Sequence, residues 1–152
     1  MKSIAIATLS VLLAASLPAA SAGQRQKPVQ PDCQLVIADG WIRLLPGGMP
    51  MHAGFARIEN RCDKAVEVVA ATSPAYAEVE LHETARVQGV SRMRQIHALP
   101  VAANGTARLQ PGGLHLMLMR PQRQLQAGEQ VDIHFRLADG REVAGKFEAR
   151  EP

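Results

Sequence analysis

The sequence predicts an all-β domain, a sandwich or a barrel, and three observations carry that reading. Short runs alternate apolar and polar residues, turn-forming clusters separate them, and no long stretch holds a helical period. In chain order, "GWIRLL" and "AGFARIEN" look like strands that alternate imperfectly, and "KAVEVVAAT" reads as a further strand. In "EVELHE", Val79 and Leu81 point inward while Glu78, Glu80 and His82 point outward. "GTARLQ" follows as another strand. In "LHLMLM", Leu114, Leu116 and Leu118 share one face and His115, Met117 and Met119 the other. "VDIHFRL" turns Val131, Ile133, Phe135 and Leu137 in and Asp132, His134 and Arg136 out; "EVAGKFEA" alternates likewise. The Asp-Gly of "LADGRE" between these two marks a hairpin. Turn signals such as "PGGMP", "NRCDK", "TSPAY", "QGVS" and "QPGG" punctuate the rest, with no internal repeat and no second domain.

Ahead of the strands, Lys2, the apolar run "IAIATLSVLLAASLPAA" and the small residues Ala20 and Ala22 have the layout of a secretory signal peptide cut after Ala22. The run is short and alanine-rich for a retained anchor, so no stable membrane insertion is expected after cleavage. The expected organisation is a signal peptide over 1–22, a flexible polar leader over 23–32 and one domain over 33–152. Cys33 and Cys62 are an even pair behind an export signal, which favours a disulfide over buried thiols or thiolate ligands. The two are not a CxxC redox motif. Net charge is +3, with Lys and Arg scattered among Asp and Glu, and aromatics make up only 3% of the chain. Stacking platforms for bases are lacking, so nucleic acid is excluded as a partner.

The second face of "LHLMLM" is the unusual feature. A solvent-side face should carry charges or hydroxyls, yet this one carries an imidazole and two thioethers. Thioethers are soft, neutral donors that select Cu(I) over Zn(II), and imidazole adds affinity. Methionine with histidine and no carboxylate at the focus points to cuprous copper. In an oxidising compartment these donors also persist where a cysteine site would be at risk.

His82, Met93, His115 and Met117 stand in the order H-x(10)-M-x(21)-H-x-M. This pattern resembles the PCu(A)C family of periplasmic copper chaperones. The likeness extends through "NRCDKAVEVVAATSPAYAEVELHE", "GVSRMRQI" and "LQPGGLHLMLM" and covers about Ile37 to Phe147. The resemblance implies a cupredoxin-like Greek-key β-sandwich holding one Cu(I) near its surface in the periplasm. It also implies transient partners: the CuA-bearing subunit of cytochrome c oxidase, a Sco-type protein, or both. Many members carry a Met- and His-rich C-terminal extension; the sequence through Pro152 shows no such segment, so no tail-borne second copper site is expected. The cysteine pair is no part of the family's ligand pattern.

One histidine or methionine on a strand is ordinarily a satisfied or packed residue, and only the four together, by parity and spacing, make a ligand set. Met119 has the right parity but lies nearly 7 Å beyond Met117 along a strand, so packing is its expected role. His97 and His134 are assigned to a turn and a solvated face. Met49, Met51 and His52 in "GGMPMHAG" fall on a Gly/Pro-rich stretch read as a loop, where they could form an auxiliary copper contact.

The expected function is therefore a Cu(I) metallochaperone, a monomer with no enzymatic turnover. Blue-copper electron transfer needs a thiolate with two imidazoles and an axial methionine, and neither cysteine has a nearby downstream His and Met. No Ser/His/Asp or Cys/His arrangement supports an enzyme. The alternative is a periplasmic protein of copper buffering or tolerance, which stores the ion instead of delivering it.

Overall fold

Ten strands form: β1 (Leu35–Arg43), β2 (Met51–Asn60), β3 (Val66–Thr72), β4 (Tyr76–Val87), β5 (Val90–Gln95), β6 (Leu99–Val101), β7 (Thr106–Leu109), β8 (Leu114–Pro121), β9 (Gln130–Leu137) and β10 (Glu142–Arg150). The computed structural model describes residues 33–47 and 49–152; the signal peptide and leader expected over 1–32 lie outside them. Among the described residues no helix is long and apolar enough to cross a membrane.

The hydrogen-bonded order is β5-β4-β8-β7-β2-β1-β10-β9-β3-β6, with β8 also pairing β2. The pairings are antiparallel except β1 with β10 and a single-pair contact of β7 with β8. This ladder folds over on itself. Leu81, Leu116, Leu118 and Ile58 from one arm pack in the same apolar cluster as Val68, Ile133 and Phe135 from the other. The result is a cupredoxin-like sandwich whose two layers are one continuous mixed sheet.

The clean alternations hold as read. Val131, Ile133, Phe135 and Leu137 are all buried on β9, and β10 returns from a turn with Gly140 at φ +87°. The imperfect alternation of the first two strands has a physical cause. The β1–β2 register shifts between Ala38 and Trp41, with Asp39 at φ +55°. This bulge flips the parity, so Ile42 enters the core while Trp41 lands on the outer face. β2 is covered on both faces: Ala56 and Ile58 join the core, while Phe55 lies under Trp41 with ring centroids 4.5 Å apart. The Arg43 guanidinium caps both rings, 5.5 Å from Trp41 and 5.3 Å from Phe55.

Cys33 and Cys62 are bonded, tying the chain just before β1 to the turn after β2. Beside the bridge, the buried Asn60 amide donates to the carbonyls of Lys64 (2.8 Å), Val101 (3.2 Å) and Ala102 (2.9 Å), and its oxygen accepts from the Cys62 N–H (3.1 Å). Both its amide nitrogen and its oxygen are engaged inside the fold. The three-residue β6 is too short for a periodic signal, and the sequence does not announce it.

Candidate metal centre

The face of β8 opposite its leucines is built cooperatively by five strands. Residues directly opposite one another in antiparallel strands share a face, so the register identifies its members. His82 faces His115, and Glu80 faces Met117, across β4–β8. Thr84 faces Met93 across β4–β5. Ala53 faces Met117 across β2–β8, and Trp41 faces Phe55 across β1–β2. β4 and β5 are held by a two-residue turn, Gln88 (φ +52°) and Gly89 (φ +80°), whose twin positive φ angles suit a tight hairpin. That hairpin carries Met93 back over the sheet.

His115 and Met93 meet. The His115 Nε2 lies 3.2 Å from the Met93 sulfur. The other ring nitrogen, Nδ1, is 2.9 Å from the Gly113 carbonyl, which can only accept, so Nδ1 carries the proton. In the neutral ring Nε2 then presents a lone pair to a thioether that also presents lone pairs. No proton joins them. The same carbonyl accepts the Thr84 N–H (3.0 Å), which ties the ring's orientation to β4.

His82 shows the complementary tautomer. Its Nε2 is 2.8 Å from the Glu80 carboxylate, an acceptor when ionised, so Nε2 donates. Its Nδ1 is buried and has no hydrogen-bond partner among the described residues. An unpartnered buried imidazole nitrogen costs stability unless something binds there. The His82 and His115 rings lie with centroids 5.9 Å apart. His82, Met93 and His115 are thus brought together, and Met117 occupies the next position of the same face.

Three expectations change. His115 is not solvent-facing: it is only 6% exposed, with the Phe55 ring centroid 6.4 Å away, because β2's aromatic residue covers this side of the sheet. Exposure is concentrated at Met93, 55% exposed on an edge strand. The focus does contain a carboxylate, Glu80, which stands opposite Met117 and bonds His82 Nε2. And the Met51–His52 stretch is not loop but the start of β2. Met51 shares the outer face, whereas His52 pairs with Leu118 and turns into the interior, its Nδ1 2.9 Å from the Tyr76 hydroxyl. Burial holds the His52 imidazole below its ordinary pKa and raises that of the Tyr76 phenol. Strand alternation therefore separates the Met49, Met51 and His52 trio. Exposed Met49 and His52 line an open cavity of about 720 Å³ with Leu44, Arg123 and Leu125, and none of the four candidate ligands lines it. His97 is exposed in a bend, and His134 is half-exposed on β9.

The sequence reading puts Glu80 on the face of His82 without a role at the site, and assigns none to Gly113 or Phe55. The i, i+2 spacing of Glu80 and His82 on one strand face is the signal that could have found the first. The other two depend on tertiary placement. Among the described residues, no three His, Cys, Asp or Glu side chains cluster as a metal site.

A cupredoxin-like sandwich with two imidazoles and two thioethers on one sheet face has the build of a PCuAC domain. The chain belongs to the LpqE-like family, described as "Putative lipoprotein LpqE-like", which it matches over residues 35–149. "Putative lipoprotein Lxx21020" of Leifsonia xyli subsp. xyli is 32% identical over 105 residues, 68% of this chain; the match spans 62% of that protein's length. The solution structure of CuI-DR1885 from Deinococcus radiodurans superposes with a TM-score of 0.64 at 27% identity, covering 83% of this chain and 85% of that one. A copper-bound PCuAC domain from PmoF2 shares the fold, with a TM-score of 0.65 at 15% identity over 80% of this chain and 96% of that domain.

Proposed function

We propose that the protein is a periplasmic Cu(I) metallochaperone that takes one cuprous ion as cargo between His82 Nδ1, Met93 Sδ, His115 Nε2 and Met117 Sδ. The observation that carries this reading is the 3.2 Å approach of His115 Nε2 and the Met93 sulfur, with the ring's proton assigned to Nδ1 by the Gly113 carbonyl. Two lone-pair donors facing each other call for a cation, and the buried His82 Nδ1 across the ladder has no other partner. The donor set is neutral and half thioether, which favours Cu(I) over Zn(II) and Cu(II). The Cu(I)-bound relative supports the same cargo. Export to the periplasm is supported by the N-terminal apolar segment and by the disulfide, which suits an oxidising compartment.

Delivery by ligand exchange follows from the ligands. Neutral donors can be displaced one at a time, and no thiolate has to be reprotonated. The acceptor we infer is the CuA centre of cytochrome c oxidase, reached directly or through a Sco-type protein in a transient complex. The test is to mix the Cu(I)-loaded protein with an apo CuA domain under reducing conditions and follow the metal. Transfer to the CuA domain is expected. If copper leaves only to strong small-molecule chelators, the protein buffers copper rather than delivering it.

A further inference from the structure

Methionine commonly fills irregular gaps in a core. Here the buried core of the described residues contains leucine, isoleucine, valine, phenylalanine and alanine but no methionine. Of the chain's six methionines, Met51, Met93, Met117 and Met119 all fall on the outer face that carries the candidate metal centre. Two of these, Met51 and Met119, have no part in the four-residue site.

These two are register partners across β2–β8. The Arg120 N–H donates to the Pro50 carbonyl (2.7 Å), which makes the neighbouring pair, Pro50 with Arg120, the hydrogen-bonded one. Met51 and Met119 are therefore a non-hydrogen-bonded pair, the geometry in which opposed Cα atoms come within about 4.5 Å and side chains are closest. Both are half-buried. Met117 stands one position along the same face, about 7 Å away. On the far side of Met119, across β4, stands Glu78, whose carboxylate is held by Arg120 at 2.7 Å. Three thioethers thus share one patch of the outer face, on β2 and β8, beside a carboxylate.

We propose that Met51 and Met119 form a second soft-cation site, for Cu(I) or its redox-inert analogue Ag(I), which shares Met117 with the four-residue site. It is weaker than that site, because it lacks imidazole. As a site it stands on its own donors, independent of the copper-transfer reading.

The experiment is a silver titration of the disulfide-bonded protein carrying methyl-13C-methionine, read by the methionine methyl resonances. The first equivalent should move Met93 and Met117, and the second should move Met51 and Met119. A Met51→Leu, Met119→Leu variant, nearly volume-conserving, should keep the first equivalent at unchanged affinity and lose the second. Still methyls of Met51 and Met119 through two equivalents, or a variant that still takes up a second equivalent, would overturn the proposal. If Met93 and Met117 fail to respond while Met51 and Met119 do, the four-residue reading falls and the second site stands. The native titration needs no variant, so a folding defect in the double substitution leaves it decisive.

Discussion

Replacing Glu80 by Gln tests the candidate centre without touching a ligand. Glu80 and His82 are joined by a 2.8 Å bond, and their side chains are only 23% and 15% exposed. Two terms set the magnitude. A hydrogen bond to an ionised acceptor is worth roughly 1.5–3 kcal/mol against about 1 kcal/mol for a neutral one, so the weaker acceptor loses about 1 kcal/mol of orientation. The carboxylate also acts across the imidazole on a monovalent cation, and at an effective dielectric near 20 this adds on the order of 1–2 kcal/mol after solvent screening. The sum, about 2–3 kcal/mol, corresponds to a Cu(I) affinity weaker by roughly thirtyfold to a little over a hundredfold, the upper part of the range found when the outer partner of a metal-bound histidine is removed. Anaerobic competition against a chromophoric Cu(I) chelator reads this directly. Glu83→Gln is the control, because Glu83 points to the opposite face and pairs with Arg94 at 2.6 Å; it should change little. An unchanged affinity in Glu80→Gln would refute the reasoning, for it would mean that copper does not use His82 through Nδ1. Coordination through Nε2, visible in the nitrogen shifts of the ring, would do the same, since that nitrogen is committed to Glu80.

A Met93→Leu, Met117→Leu variant should keep its fold by circular dichroism while losing more Cu(I) affinity than Glu80→Gln and losing its preference for Cu(I) over Zn(II). Unchanged cuprous binding would place the ligands elsewhere. Reducing Cys33–Cys62 opens a loop whose ends are 29 residues apart, which in the chain-entropy model costs about 3.6 kcal/mol. Denaturant unfolding with and without reductant should show that drop, and an unmoved midpoint would mean the bridge constrains nothing. Asn60→Ala strips partners from three carbonyls and one N–H in a residue that is 1% exposed, so a loss of roughly 2–4 kcal/mol is expected in urea unfolding. A loss below about 1 kcal/mol would show that water replaces the amide.

What could be read from the chain was whatever local periodicity encodes. The faces of β4, β8 and β9 followed from alternation, and the four candidate ligands from alternation plus spacing. What could not be read was set by tertiary structure. The β1 bulge at Ala38–Trp41 reverses a parity that no local pattern announces, and it puts Trp41 on the outer face, over Phe55. That cover is why His115 is buried, although alternation alone placed it toward solvent. The Gly/Pro stretch before Met51 looked like loop, yet pairing with β8 recruits Met51 and His52 into a strand and splits their directions. Asn60 gave no signal at all, because two of its partners lie 41 and 42 residues away.

Under the proposed function, the distribution of exposure across the four candidate donors bears on how a held ion could also be surrendered. Both imidazoles are fixed from behind, His115 by Gly113 and Phe55, His82 by Glu80, so they present preset lone pairs and lose little entropy on binding. Met93 is the opposite: an unbranched, flexible side chain, 55% exposed, on a strand hydrogen-bonded along one edge only. A rigid pair of nitrogens gives affinity, and a mobile, weak sulfur gives a position that an incoming ligand can take. Exchange should therefore begin at Met93, with the ion still held by the two rings while the first foreign donor arrives. A cysteine in that place would hold the ion too firmly and oxidise in this compartment, and a buried methionine would be out of reach. The edge-strand hairpin is what allows one ligand to be loose while its neighbours are not.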